Sequence, residues 1–407
     1  MESIAGARRS NGGVFWPTLV ALYLFCWYMQ LGYRIDFLAT IRFELLLGAV
    51  LGLKAIIVLM QERAQSHGLT KPVFAWFTIL IIYTIFSFSP EYSKNIFVDR
   101  VLKFSMTALF LKAFIKDGAS LKIILSGFIL AILKLGQEGF VGWLFGGLVW
   151  ENQGIMRLHG SIPNYQHPNS FSGLAVSCLP FAFYLFPLAV VKEKLLLIVL
   201  GCFLLTIILF TGSRTGYVGA LFFLVLFFSE TIKRYWFRGS LSAILCVVLI
   251  ASFAPDQYVG RFESIFTGNE AEGASTSARM QIIHDAVEVY FAYPFGVGVA
   301  AFPAVRQEMF GRVQDTHNLY LELLTNLSPI GVLIFLWFIF KMISVNKGIM
   351  KDVRAKPINI ALSKIVISYL YLRLVLGVFG MDAYEVWWWF ALGLTFGNLN
   401  LLASEND

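Results

Sequence analysis

His317 lies near the end of a long polar stretch, Ala254 to Asn326, and the run Asp315-Thr316-His317-Asn318 leads straight into a new apolar helix. Two arginines sit in short polar segments of their own, Thr211-Gly-Ser-Arg214 and Ser275-Thr-Ser-Ala-Arg279. An imidazole exchanges a proton near physiological pH, whereas a guanidinium keeps its charge and presents a planar fork of donors that fits phosphate oxygens. Together these groups suit a substrate that is anionic at one end and must lose a proton at the other. Each residue also has a plainer reading. His317 fits a capping or hydrogen-bonded structural histidine, Arg214 an interfacial anchor for lipid headgroups, and Arg279 a solvated residue in the first turn of a helix. Cations are disfavoured at a helix N-terminus, which counts against the last of these.

Secondary candidates surround this set. Arg157 suits glycan or phosphate binding or, equally, loop packing, and Asn169 follows His167-Pro168 where a cap for the next helix is expected. Asn318 adjoins the histidine. Arg373 falls inside an apolar segment, where an unpaired charge is costly, and pairing with Asp382 or Glu385 is the preferred reading over a place in a substrate cavity. Asp-rich clusters, zinc spacings, Walker loops and dinucleotide-type glycine motifs are missing, so no metal and no cofactor are expected and the donor should arrive already activated. Cys26, Cys178, Cys202 and Cys246 all fall in apolar runs and read as packing residues, not as a disulfide framework.

The elements that must position these residues are membrane helices. With 58% hydrophobic and 14% charged residues and a mean hydropathy of +0.72, the chain lies far from soluble domains, where roughly a quarter of residues are charged. Segments near the 20 residues that a span requires number about twelve: Val14 to Gly32, Phe43 to Met60, Val73 to Phe88, Val98 to Ile115, Leu121 to Leu135, Ser170 to Val190, Leu195 to Phe210, Tyr217 to Ser229, Leu241 to Phe253, Asn318 to Ile343, Ile358 to Gly380 and Tyr384 to Leu402. Short connections carrying Lys112, Lys116 and Lys122, then Lys192 and Lys194, then Lys233, Arg234 and Arg238, then Lys347, Lys351, Arg354 and Lys356 are expected inside. Both termini are then cytoplasmic, and the first span reads as a signal anchor.

The expected fold is an all-α integral membrane protein, a single polytopic membrane domain over 1–407 with about 12 transmembrane helices. A first extracytoplasmic segment covers 136–169, and a large extracytoplasmic loop over 254–317 contains short amphipathic helices and the catalytic candidates. One of these helices is expected from Ala278 to Tyr293, capped by Ser275 or Ser277 and stopped by Pro294. The first five spans read as scaffold. Trp387-Trp388-Trp389 reads as an interface belt. The net charge of +7 is largely topogenic lysine and arginine, so no nucleic-acid partner is expected.

In motif order the stretch from Arg157 to Gly331 resembles the O-antigen ligase and polymerase superfamily of polytopic bacterial glycosyltransferases. The matching pieces are Arg157-Leu-His-Gly160 with His167-Pro-Asn169, Ser213-Arg214-Thr215, Ser277-Ala-Arg279 before Pro294-Phe-Gly-Val-Gly298, and His317-Asn318-Leu-Tyr-Leu-Glu322. The ligase branch has His-Asn, nine residues, then Gly-x-x-Gly; here nine residues separate His317-Asn318 from Ser328-Pro-Ile-Gly331, so a serine replaces the first glycine. The resemblance implies location in the bacterial inner membrane with the active site facing the periplasm, and an undecaprenyl-pyrophosphate-linked glycan donor. It implies as acceptor either the lipid A-core, which is ligation, or a lipid-linked glycan, which is polymerisation; ligation fits the histidine motif slightly better. Membrane lipids are the remaining partners.

In that chemistry the acceptor hydroxyl loses a proton while charge builds on the departing pyrophosphate. His317 is then the base, and Arg214 and Arg279 hold the pyrophosphate. A lipid-linked oligosaccharide flippase or other transporter is the more distant alternative, which should place its charges near the bilayer midplane and show related halves.

Overall fold

The computed structural model describes residues 13–62, 68–152, 154–227, 258–260 and 275–404. Helices dominate: α1 Phe15–Met29, α2 Phe43–Gln61, α3 Thr70–Ile85, α4 Lys103–Phe114, α5 Gly118–Leu144, α6 Pro168–Leu185, α7 Val191–Phe210, α8 Arg214–Phe227, α9 Ser275–Ala292, α10 Phe302–Phe310, α11 Leu319–Ile349, α12 Pro357–Leu376 and α13 Val386–Ala403. A helix coincides with every expected span except Leu241 to Phe253, which lies outside the described residues. Among the described residues, 6 helices are long and apolar enough to cross a membrane: α2, α5, α6 with its 3₁₀ extension, α7, α11 and α12. The chain is a membrane protein.

Three expectations change at this level. The fold is not purely helical, because β1 Val149–Asn152 and β2 Ile155–Leu158 form an antiparallel hairpin with Trp150 opposite Arg157. Helix α5 runs on to Leu144, so the first long loop begins later than residue 136. The tryptophan run is also not a lipid-facing belt. Trp387, Trp388 and Trp389 are 8%, 0% and 2% exposed, since α13 is surrounded by other helices. Trp388 packs edge-on against Phe335, and Trp389 against Phe77 and Phe338.

The described residues divide into two compact units. One contains the described parts of Met1–Val20, Leu45–Ile124 and Ala274–Asp407. In it α13 lies along α4, because two glycines one turn apart allow close approach. A Cβ at Gly393 would come within 2.7 Å of Leu111, and one at Gly397 within 2.7 Å of Ile115. Buried amides tie the remaining helices: Asn359 and Asn398 bond each other, and Asn346 donates to Thr395 Oγ1 at 2.9 Å.

Helix α11 is broken at Ser328, whose φ of 59° and ψ of 176° are not helical. Pro329 has no N–H to offer Thr325, four residues back. The carbonyls freed by this break are satisfied from outside the helix: Val297 N–H donates to Thr325 O and Gly298 N–H to Asn326 O, both at 2.9 Å. The same turn reaches the end of α3, with Phe88 N–H donating to Val297 O and Val299 N–H to Tyr83 O. Gly296 and Gly298 have φ of 84° and 108° and press against Asn326 and Ser87 respectively, so the turn needs residues without a Cβ. Irregular backbone at membrane depth is tolerated where protein repairs it in this way.

The second unit contains Ala21–Glu44 and the described parts of Leu125–Gly273. Helix α6 packs on α7, and Glu138 on α5 accepts a forked pair of bonds from Arg34 at 3.0 and 2.7 Å.

Candidate functional site

In the second unit, the hairpin, the start of α6 and the turn before α8 meet at Arg157, which is 1% exposed. Its Nε donates to Thr211 O at 2.7 Å, its Nη1 to Asn152 Oδ1 and its Nη2 to Asn169 Oδ1, each at 2.8 Å. Every guanidinium nitrogen is thus engaged with protein, which fits the packing alternative for Arg157 and ties it to the Thr211–Ser213 turn. Asn169 is not the cap of α6. Proline favours the first helical position, so the helix starts at Pro168 and His167 caps it by accepting from Asn169 N–H at 3.2 Å. His159 bonds Gly160 O and packs against Trp150. Arg214 follows the turn as the first residue of α8 and is half-buried. The turn passes through Gly212 at φ 56°, and Ser213 Oγ accepts from Gly216 N–H.

In the first unit, α9 and α10 pack through Ala286, Val289, Val297, Ala301, Phe302 and Val305. Ile282, Ala286 and Val289 make the buried stripe of α9, whereas Met280, Ile283, Val287 and Phe291 are exposed, so the apolar side is narrower than the sequence suggests. Helix α9 begins at Ser275, which places Ser277 inside it and Arg279 in the second turn, beyond the reach of the first-turn dipole argument. Arg279 is exposed.

His317 has φ 48°, a left-handed conformation that turns the chain immediately before α11. Asn318 is the N-cap of that helix: its Oδ1 accepts from Tyr320 N–H at 2.9 Å and Leu321 N–H at 3.1 Å, and its Nδ2 donates to Val378 O at 2.9 Å. The loop after α12 therefore holds the histidine loop in place. Leu319 N–H donating to Gly377 O, and Ala383 N–H donating to the buried carboxylate of Glu322, complete the attachment.

His317 is exposed, yet its imidazole is pushed toward the neutral form. Surrounding protein disfavours the charged ring and lowers its pKa below the ordinary 6.5; Asp315 opposes this, while the charges of Arg279 and Arg306 add to it. Asp315 is displaced the other way. Burial raises its pKa, and the Thr316 N–H and the charges of His317 and Arg100 only partly offset that. His317, Asp315, Arg279 and Arg306 thus form one electrostatic group. Arg100, which pairs with Glu385 at 2.8 Å, borders it from a π-helical turn, Phe97–Leu102.

Arg373 lies 3.5 Å from Asp382 and 3.6 Å above the centroid of Trp387. It is 4% exposed, and its Nε and Nη2 make no hydrogen bond among the described residues. Asp315, Arg100, Asp285 and Arg306 were not among the sequence candidates. Asp315 stood two residues before the histidine and could have been read as its partner. Arg100 sits in a segment read as scaffold, and no local pattern marks it.

Residues 197–336 match the O-antigen ligase family, confirming the resemblance read from the motifs. The match takes in Arg214, Arg279, His317-Asn318 and Ser328-Pro-Ile-Gly331, and leaves out Arg157, Asn169 and Arg373. No curated protein matches the chain.

Proposed function

We propose that this membrane protein is a glycosyltransferase of the O-antigen ligase type, moving a glycan from an undecaprenyl-pyrophosphate-linked donor onto a hydroxyl of the lipid A-core at the periplasmic face of the inner membrane. The observation that carries the reading is His317 in a left-handed turn at the start of α11, its pKa lowered in part by the charge of Arg279. A base must be unprotonated to act, and a phosphate clamp must stay charged.

The acceptor O–H gives its proton to the imidazole while its oxygen attacks the anomeric carbon. The bond from that carbon to the pyrophosphate oxygen breaks, and the electron pair leaves with the lipid pyrophosphate. Arg279 binds the departing anion, as a permanently charged donor in place of a metal ion. Displacement in one step inverts the anomeric centre.

Ligation is preferred to polymerisation because the histidine motif nearly matches the ligase branch. The one departure from the ligase motif occupies a backbone conformation almost confined to glycine, so the local fold that the motif describes is retained. A deletion strain tests the choice. Loss of all long polymer from the lipid A-core, with lipid-linked chains accumulating, is the expected result; a core capped with a single repeat would instead indicate a polymerase.

A further inference from the structure

A buried ion cluster joins the arginine helix to the histidine loop. Asp285 lies on α9, six residues after Arg279 and so about 9 Å along the helix axis. Its carboxylate is 0% exposed and fully used: Oδ2 accepts from Arg306 Nε at 2.8 Å, and Oδ1 accepts from Gln281 Nε2 at 2.8 Å and Arg312 Nη2 at 3.0 Å. Arg306 on α10 is 1% exposed; its Nη2 also lies 2.8 Å from Asp285 Oδ2, and its Nη1 donates to Gln314 O at 3.1 Å. Gln314 stands three residues before His317. One guanidinium therefore adds a polar tie to the apolar packing of α9 on α10 and extends it to the approach to the histidine.

We propose that Asp285 and Arg306 are positioning residues for glycosyl transfer: their buried pair clasps α9 to the loop before α11 and fixes the spacing between the Arg279 guanidinium and the His317 imidazole. The inference rests on His317 being the base. Arg306 has a second effect through the same geometry, because its charge faces the imidazole together with Arg279 from α9 and Asp315 from the loop, and Arg100 acts on Asp315 from the π-helical turn. A merely structural pair would not set the protonation of His317.

The test measures transfer from a polyprenyl-pyrophosphate-linked glycan by the reconstituted full-length protein between about pH 5 and pH 8, the range over which histidine titrates. Variants are Asp285→Asn, Arg306→Lys, Arg306→Gln and the double Asp285→Asn/Arg306→Gln, which leaves no buried charge unpaired, Arg312 being exposed, if the single glutamine variant fails to insert. Misplacement of reacting groups by about 1 Å costs as much as 100-fold, so kcat should fall in all four with a smaller change in donor KM. The acid limb of the pH profile should move to higher pH only where Arg306 becomes neutral, and should stay in place in the lysine variant. A double variant that folds, keeps its kcat and keeps its acid limb would overturn the proposal. Activity surviving in His317→Ala would instead remove the base on which it rests, a failure seen independently of the clasp.

Discussion

At the scale of single residues, the surroundings of His317 make a signed prediction. Its pKa is lowered, so the neutral ring prevails at neutral pH, and protonation becomes extensive only below the ordinary value of 6.5. Transfer should accordingly be flat near pH 7 and fall as the pH drops through that lowered pKa; an acid limb above 6.5 would contradict the reading. His317→Ala should abolish turnover while donor binding persists, and Arg279→Lys should restore little donor affinity to an Arg279→Ala protein, since a point charge lacks the forked geometry. Donor binding by isothermal titration and single-turnover rates separate the two effects. Residue type and motif order were enough to nominate His317 and Arg279 as candidates. They did not mark Asp285 with Arg306, because the two stand 21 residues apart and their pairing depends on how two short helices cross.

At the scale of elements, the break in α11 and the seam between α13 and α4 carry opposite lessons about glycine. Ser328 occupies a conformation that costs a non-glycine residue about 1–3 kcal/mol, offset by a hydrogen bond between its Oγ and Tyr83 Oη at 2.8 Å, worth about 1 kcal/mol. Ser328→Gly should therefore leave thermal stability unchanged or raise it, whereas Ser328→Ala, which keeps the strain and loses the bond, should lower it by roughly 1 kcal/mol. Thermal unfolding in detergent compares them. Gly393→Val should push α13 from α4 and cost about 1–3 kcal/mol by overpacking. Helix positions were legible from apolar runs because a span must be long and continuous. Helix starts were less so. Pro168 moved one cap to His167, and α9 started three residues before the expected Ala278, since polar serines support a first turn as readily as a cap.

At the scale of the whole molecule, the pattern of lysine and arginine in short connections is a statement about sidedness. Val313 precedes α11 and is 67% exposed, and Val353 follows it and is 100% exposed. Beyond the break at Ser328, residues 329–349 continue the helix between them, about 31 Å at 1.5 Å per residue and enough for the roughly 30 Å of hydrocarbon. Cysteines placed at these two positions should react with an impermeant maleimide from opposite sides, Val313→Cys from the periplasm and Val353→Cys only after the membrane is opened; labelling of both from one side would refute the topology. The membrane class was legible from composition alone. The hairpin that seats Arg157 was not, because two strands of four residues leave too little alternation to stand out beside long apolar helices. The broken turn of α11 also bears on how the chain is made. Its carbonyl partners, the main-chain donors at Val297 and Gly298, are translated before Thr325 and Asn326, so a ribosome-bound chain already holds the repair when the defect emerges. Had the order been reversed, two orphaned acceptors would wait in lipid for their donors to be synthesised.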